Sequence, residues 1–384
     1  MKKTIKMLGL GGLVLVLFVM MLGQAQVALA DTRPGQSQVT TLEISEADQQ
    51  EALAFWTNEE MAAAQEMVMP VDYSSPSEPK FGLDVPDSFY LMAASSPAGK
   101  AEPGANKIAR EAFPEDWSGM EVVYPDFSEA EESPAVQIDG TKGVFDSYIL
   151  NQWKGAWKIY PHKWVGRLSF KTPTGGTSYC SATAISGNNF VTAAHCVYDT
   201  TNNFWYNSWV FVPAFRAGTA PYGKFSATAC TILTAWINKS GSFNINGWTK
   251  VDLAVCSVGT NGAGKTLNQA VGWAGRAWNL GYKQHFFDMG YPFRDTNNVT
   301  ITNAGKFNRT CVAESRYQAT NVLGMGCDLG PGISGGPWML GYKLHVITGY
   351  VNSVNSGFYI GQPNMYGIRF NGNNIVPLCS ARGC

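Results

Sequence analysis

The 384-residue sequence lacks several patterns that would assign it to other classes of protein. It has no Cys-x-x-Cys or His-Glu-x-x-His pattern, so the common zinc spacings are missing and we expect neither a metal nor another cofactor. It has no basic cluster interleaved with stacking aromatic residues in a recognisable motif, so we expect no nucleic-acid binding. After residue 30 no apolar run is long enough to cross a bilayer.

The first 30 residues have the pattern of a secretory signal peptide. Lys2, Lys3 and Lys6 precede an apolar stretch over residues 8–22, and small residues at Ala28 and Ala30 suit cleavage before residue 31. The apolar stretch is shorter than the roughly 20 residues that a spanning helix needs. We therefore expect a secreted, extracellular protein with no membrane contact after removal of this signal.

The net charge of the chain is only -1, but the charged residues are unevenly distributed along it. Residues 31–139 contain 22 acidic and 5 basic side chains, whereas residues 140–384 contain 7 acidic and 20 basic ones. This change marks a domain boundary. We predict a partly disordered acidic propeptide over 31–139, with one helix over residues 46–69 that ends at Pro70, and a folded domain over 140–384.

Cysteine is missing from the first 179 residues and occurs eight times after them. An even number of cysteines in an exported chain predicts disulfide bonds, and the spacing alone leaves 105 pairings open. The cysteines are Cys180, Cys196, Cys230, Cys256, Cys311, Cys327, Cys379 and Cys384.

From about residue 144 onward, short runs of β-branched and aromatic residues alternate with turn residues, which predicts an all-β domain, either a barrel or a sandwich. The predicted strands are residues 165–170, 179–185, 190–197, 209–214, 225–233, 252–258, 299–304, 344–351 and 366–370.

The most informative stretch, residues 327–338, reads CDLGPGISGGPW. Glycines on both sides of Ser334 suit a tight turn that projects the hydroxyl and leaves backbone amides uncovered. A serine hydroxyl is a weak nucleophile without a base and a group that orients the base. If Ser334 is a nucleophile, these partners must come from elsewhere in the chain.

Few residues can act as these partners. Of four histidines, only His195 lies in a tight run of apolar and small residues, TAAHC. Among the acids between His195 and Ser334, only Asp252 leads directly into an apolar strand-like run, VDLAV, where a buried carboxylate needs a partner. Asp199 is too close in sequence to fold back easily onto the His195 ring, and the surroundings of Asp288, Asp295 and Glu314 look like polar loops. The remaining acid, Asp328, lies six residues before Ser334.

TAAHC, VDLAV and GISGGP, in the order His, Asp, Ser, resemble the trypsin-like (chymotrypsin-fold) serine endopeptidases over roughly residues 160–375. The later SGGPWM, GYVNSVNS and MYG resemble more closely a bacterial secreted branch related to the glutamyl endopeptidases. The resemblance implies two tandem antiparallel β-barrels, over about residues 150–262 and 270–375, with the site between them.

The resemblance also implies individual roles. Ser334 would attack a peptide carbonyl, His195 would transfer the proton, and Asp252 would orient His195, while the amides of Gly332 and Ser334 would bind the oxyanion. It implies a Cys180–Cys196 bond, and the remaining cysteines are expected to pair in sequential order, as Cys230–Cys256, Cys311–Cys327 and Cys379–Cys384.

Specificity stays open at this point. Asp328, six residues before Ser334, occupies the position of the aspartate that selects basic side chains in trypsin-like enzymes, but it is equally consistent with a loop-capping or solvated acid. The histidine that recognises glutamate in the glutamyl branch has no counterpart in residues 349–353, which argues against glutamate specificity. Val351, Asn352 and Ser353 are expected to pair with the substrate backbone.

Activation must differ from that of animal trypsin-like zymogens, since Ile333 stands where those carry the aspartate that binds the new N-terminus. We expect the acidic propeptide to act as an intramolecular inhibitor of a monomeric enzyme whose substrates are proteins or peptides. An alternative is a catalytically silent homologue that serves as an extracellular binding module. An α/β-hydrolase esterase would require the acid and histidine after the serine, and here both precede it.

Overall fold

The computed structural model describes residues 38–73, 94–101, 145–149, 156–343 and 347–384. The predicted signal peptide and His345 lie outside the described residues, as does much of the acidic region. Among the described residues, no helix is long and apolar enough to span a membrane.

The acidic region forms short elements that pack on the rest of the chain. A single helix over residues 46–69 is wrong, because the buried Trp56 ends one helix and Thr57 caps the next. The Trp56 indole donates to Ser208 O at 2.7 Å, so a tertiary contact interrupts the helix. The elements are β1 Val39–Glu43, α1 Glu46–Phe55, α2 Asn58–Ala63, β2 Gln65–Glu66, β3 Val71–Asp72 and β4 Ala94–Ser96.

The first sheet closes into a six-stranded antiparallel barrel, because its last strand pairs with both of its neighbours. Its strands are almost wholly buried and rich in β-branched and aromatic residues, as expected for a filled barrel. They are β6 Val165–Lys171, β7 Thr177–Ile185, β8 Asn189–Thr192, β11 Asn207–Pro213, β12 Phe225–Leu233 and β13 Ala254–Val258, and a small hairpin joins β9 Tyr198–Asp199 to β10 Phe204–Trp205.

The second sheet is open and begins with an edge strand from before the first barrel, β5 Phe145–Ile149. Its order is β17, β18, β21, β20, β19, β15, β16, β5, and the pairs along this path are antiparallel. The remaining strands are β14 Gly275–Trp278, β15 His285–Gly290, β16 Arg309–Glu314, β17 Arg316–Ala319, β18 Val322–Gly326, β19 Pro337–Leu340, β20 Tyr350–Tyr359 and β21 Asn364–Ile368.

Helices contribute little to this part of the chain and mostly connect strands. They are α3 Thr234–Ile237, α4 Ile245–Trp248, α5 Leu267–Val271 and α6 Ile375–Arg382. The prediction of an all-β fold with two tandem antiparallel barrel-like sheets is confirmed, with the difference that only the first sheet closes.

Two predicted strands differ from the structure. Of residues 344–351, residues 344–346 lie outside the described residues, and only Tyr350 and Val351 lie in a strand, at the start of β20. Residues 299–304 form turns, because the Asp295 carboxylate accepts hydrogen bonds from the amides of Asn297 and Val299 and curls the chain back. Asn298 and Asn303 adopt positive φ angles of 65° and 57°, which lie outside the extended region that regular strands occupy.

Four disulfide bonds join the cysteines as Cys180–Cys196, Cys230–Cys256, Cys311–Cys327 and Cys379–Cys384. These are the pairs expected from the resemblance and from sequential order. All eight cysteines are described, and none of them is free. Bonds of this kind persist in oxidising environments, which suits an extracellular protein.

Candidate active site

His195 lies in a one-turn 3₁₀ helix, Ala194–Cys196, directly after β8. The turn is fixed on two sides, because Cys196 is bonded to Cys180 of β7 and the Cys196 carbonyl accepts a hydrogen bond from the Trp209 indole at 3.2 Å. The imidazole is buried, with 5% of the residue exposed. Its position is therefore set by the barrel rather than by a mobile loop.

The Asp252 carboxylate is fully buried beside this turn and accepts hydrogen bonds from two residues. Its Oδ1 accepts from the His195 amide at 2.9 Å, and its Oδ2 lies 2.7 Å from His195 Nδ1. The Ser356 hydroxyl donates to the same Oδ2 at 2.5 Å. These contacts compensate the burial of the carboxylate, as the sequence argument for Asp252 required.

Ser334 lies in a glycine turn that docks on the first barrel. The Ser181 amide donates to Ser334 O at 2.8 Å, and the Ser181 hydroxyl donates to Gly332 O at 2.9 Å. A side chain on Gly335 would come within 2.8 Å of the Ala193 amide nitrogen, so the residue after Ser334 touches the segment that leads into His195. The turn thus holds Ser334 beside the His195 turn.

Two polar side-chain atoms at the candidate site lack a hydrogen-bond partner in the described part of the chain. Ser334 Oγ and His195 Nε2 are both buried and have no hydrogen-bond partner among the described residues. A serine–histidine pair often aligns only when substrate is bound, so the arrangement is consistent with a site that is covered and not engaged.

The amides of Gly332 and Ser334 hydrogen-bond to no group in the described part of the chain. Gly332 has a φ of +97°, a conformation that favours glycine, and a side chain there would lie 2.6 Å from Tyr291 O. The amides of the residues before and after Ile333 thus have no hydrogen-bond partner among the described residues, and two such donors can bind a negatively charged oxygen.

A second polar network, which the sequence argument missed, supports the Ser334 turn from below. The side-chain nitrogen of Asn355, Nδ2, donates to Asp288 Oδ1 at 2.6 Å. It also donates more weakly to Ile333 O and Gly336 O, at 3.4 and 3.3 Å. Asn355 O also accepts from the Gly335 amide at 2.9 Å. Asn355 thus contacts three residues of the turn.

The assignment of Asp288 to a polar loop is wrong, since it lies within β15 and is fully buried. Burial raises its pKa well above the usual range for an aspartate, and the hydrogen bond from Asn355 opposes this only in part. The signal was the same one that identified Asp252, because FFDMG also places an acid in an apolar run.

Asp328 is half-buried at the edge of the second sheet. Its carboxylate accepts a hydrogen bond from the Ser147 hydroxyl of β5 at 3.2 Å and lies near Arg309, whose pKa it raises against the larger lowering by burial. Asp328 is therefore hydrogen-bonded to β5, the strand that precedes the first barrel.

Val351, Asn352 and Ser353, the residues expected to bind the substrate backbone, contact other parts of the fold. Val351 is paired with Arg276 of β14 on one side and with Met339 of β19 on the other, and Asn352 donates to Ala277 O at 2.7 Å. All three residues are fully buried. Three residues further along β20, beyond Ser356, the strand pairs with β3 of the acidic region at Phe358 and Tyr359.

Two groups of side chains among the described residues have atoms close enough to surround a metal ion, but both contain disulfide-bonded cysteines. They are Cys180 and Cys196 with His195, and Cys311 and Cys327 with Asp328. A cysteine binds a metal ion as a thiolate, so the sulfur of a disulfide-bonded cysteine is not available for this role.

No protein-family model matches the chain. Among curated proteins, it is 26% identical over 117 residues to a Bacillus subtilis protein named "Extracellular metalloprotease". That match covers 30% of this chain, and the chain spans about a third, 33%, of the relative's length.

Several solved structures are similar to a larger part of the chain. The protease Anisep from Arthrobacter nicotinovorans is 27% identical, with a TM-score of 0.48, and the match covers 57% of this chain and 95% of that structure. A Glu endopeptidase is 18% identical, with a TM-score of 0.49, and the match covers 63% of this chain and 99% of that structure. Each of these matches covers more than half of this chain.

Proposed function

We propose that the chain is a secreted serine endopeptidase, made as a precursor with an inhibitory pro-segment. The observation that carries this proposal is the 2.7 Å contact between His195 Nδ1 and the buried Asp252 carboxylate, with the Ser334 turn docked against the same segment of the barrel. Four disulfides and a signal-like start agree with secretion.

In the proposed reaction, Ser334 Oγ forms a bond to the carbonyl carbon of the substrate while His195 Nε2 accepts the hydroxyl proton. Asp252 holds the Nδ1–H and stabilises the imidazolium. The amides of Gly332 and Ser334 bind the oxyanion, and each such donor contributes about 3 to 4 kcal/mol. His195 then protonates the amine nitrogen as the C–N bond breaks, and water repeats the sequence on the acyl-enzyme and releases the acid.

Contacts of the acidic region support its role as inhibitor. It adds strands to both sheets, since β1 pairs with β12 and β4 pairs with β14. Three ion pairs join its acids to bases of the catalytic part: Glu43 to Arg382, Glu51 to Lys171 and Glu66 to Arg294. Trp56, Met61 and Met69 are fully buried, which anchors the region by apolar contacts as well.

The test of the activity is hydrolysis of an unfolded protein substrate by the processed chain. Ser334→Ala is expected to abolish hydrolysis. Ser169→Ala, at a fully buried serine of the first barrel, is expected to retain hydrolysis. Equal activity of wild type and Ser334→Ala contradicts the proposal.

The test of inhibition adds separately made residues 31–139 to the processed enzyme. We expect hydrolysis to be inhibited at low ionic strength and, more weakly, at high ionic strength. Absence of inhibition under both conditions contradicts the inhibitory role while leaving the activity itself in place.

A further inference from the structure

A short part of the acidic region, residues 67–70, bridges the two sheets. At one end the Met67 amide donates to Tyr179 O of β7 at 2.8 Å. At the other end the Phe358 amide of β20 donates to Pro70 O at 3.4 Å, and Val71 pairs with Phe358. The bridge therefore crosses from β7 of the first barrel to the part of β20 that follows Ser356.

Both ends of the bridge lie close to the candidate catalytic groups. Tyr179 is two residues before Ser181, whose amide holds Ser334 O, and Phe358 is two residues after Ser356, whose hydroxyl holds Asp252. A side chain on Gly357 would come within 2.8 Å of Pro70 O. The bridge thus runs between the strand that holds Ser334 O and the strand that holds the Asp252 carboxylate, and Ser334 itself is fully buried.

Within the bridge, neighbouring residues are treated differently. Val68 is 77% exposed, whereas Met69 is fully buried. Met69 belongs to an apolar cluster that contains Leu329, Ile333 and Phe358, and Ile333 is the residue directly before Ser334. We call this cluster the Met69 pocket, and it also includes Met325 and Met365.

The cluster that forms the Met69 pocket consists of apolar side chains and one disulfide, and the Asp328 carboxylate lies 3.9 Å from Cys311 Sγ at one side of it. A charged substrate side chain there would lose its hydration without gaining a partner, whereas an unbranched apolar side chain fits irregular apolar space. The Asp328 carboxylate, the candidate for selecting basic residues, is occupied instead by the Ser147 hydroxyl at the sheet edge.

We propose that Met69 fills the pocket that receives the substrate residue before the scissile bond, and that the processed enzyme cleaves after unbranched apolar residues such as methionine and leucine. This inference rests on the proposed peptidase function. It assigns the substrate class from the residue that the chain's own pro-segment places beside the nucleophile.

The test compares four peptide amides with one leaving group and Met, Leu, Arg or Glu before the scissile bond, using the processed enzyme. We expect kcat/KM for Met and Leu to exceed that for Arg and Glu by about 10- to 100-fold, since burying an unpaired charge costs a few kcal/mol. Preference for Arg or Glu, or equal rates for all four, overturns the specificity but supports the peptidase. Hydrolysis of none of them contradicts both.

A second test uses a synthetic peptide of residues 64–73 as inhibitor of the processed enzyme. Met69→Asp is expected to weaken inhibition at least about 10-fold, because the charge would enter the Met69 pocket. Met69→Leu should stay within about threefold of the original peptide. Val68→Asp is the matched control and should have little effect, because Val68 is exposed. Equal loss from Val68→Asp and Met69→Asp contradicts the proposal.

Discussion

At the scale of single residues, Asn355 links the Ser334 turn to the core of the second sheet. Asn355→Ala removes its hydrogen bonds to Asp288, Ile333 and Gly336, and leaves buried groups unpaired at a cost of about 1 to 3 kcal/mol. We expect kcat to fall more than KM rises, because the turn that carries Ser334 loses its support. Steady-state kinetics of the processed enzyme measures this.

The control for this variant is Asn308→Ala. Asn308 is also buried, but its amide has no hydrogen-bond partner among the described residues. If both variants lower kcat equally, Asn355 does not position the turn.

Asp288 gives the molecule a dependence of stability on pH. Its pKa is raised by burial, so the unfolded carboxyl ionises above roughly pH 4 while the folded one stays protonated to higher pH. The folded state then binds more protons, and the stability contributed by this group falls as pH rises. Asp288→Asn cannot ionise, so we expect its Tm relative to wild type to increase between pH 4 and pH 8.

Thermal unfolding at both pH values measures this difference. Asp146→Asn, at an exposed position of β5, serves as control and should show no such change. A constant difference in Tm between Asp288→Asn and wild type would show that Asp288 ionises alike in both states.

At the scale of elements, the Cys180–Cys196 bond connects β7 to the His195 turn. It closes a loop with a sequence separation of 16, and its loss is expected to cost about 3 kcal/mol. We expect the double variant Cys180→Ala/Cys196→Ala to lose activity beyond this loss of stability, because His195 adjoins the removed bond. Activity measured well below each variant's Tm separates the two effects.

The matched variant, Cys379→Ala/Cys384→Ala, removes a bond with a sequence separation of 5 near the C-terminus. Retained activity is expected there. Equal loss of activity in both double variants would indicate that the bonds act through stability alone.

Local patterns predicted the elements that depend on local sequence. Residues 225–233 were predicted as a strand and form β12, since their apolar and β-branched run is sufficient to specify it. The helix break at Trp56 depends on Ser208, which is 152 residues away. The Asp288–Asn355 pair spans 67 residues, so no local pattern could identify it.

The candidate site was predictable only where it depends on local sequence motifs. The residue types of His195, Asp252 and Ser334 follow from motifs, but which residue of β20 faces Asp252 depends on how the two sheets are aligned. The sequence argument proposed Val351 to Ser353 as the substrate edge, whereas the residue of β20 that contacts Asp252 is Ser356, three residues further along the strand.

At the scale of the whole molecule, opposite charges of the two regions meet in few ion pairs. In each of the three pairs that join the acidic region to the catalytic part, at least one side chain is substantially exposed, and such pairs contribute about 0 to 1 kcal/mol each. Strand pairing and buried Trp56 and Met69 remain when these pairs are screened.

We therefore predict that raising salt from about 50 mM to about 1 M weakens inhibition by the separate acidic segment by only roughly two- to tenfold. Inhibition constants at the two salt concentrations measure this. Complete loss of inhibition at high salt would mean that charge, and not strand pairing, holds the segment in place.

The central claim, that Ser334, His195 and Asp252 act together in a groove covered by the acidic region, is tested most directly by a fluorophosphonate probe that labels activated serines. Mass spectrometry of the labelled chain identifies the modified residue. We predict an adduct on Ser334 in the processed chain, slower labelling of the precursor, and a rate reduced about 10²- to 10⁴-fold by His195→Ala. Absence of an adduct on Ser334, or labelling unaffected by His195→Ala, contradicts the account.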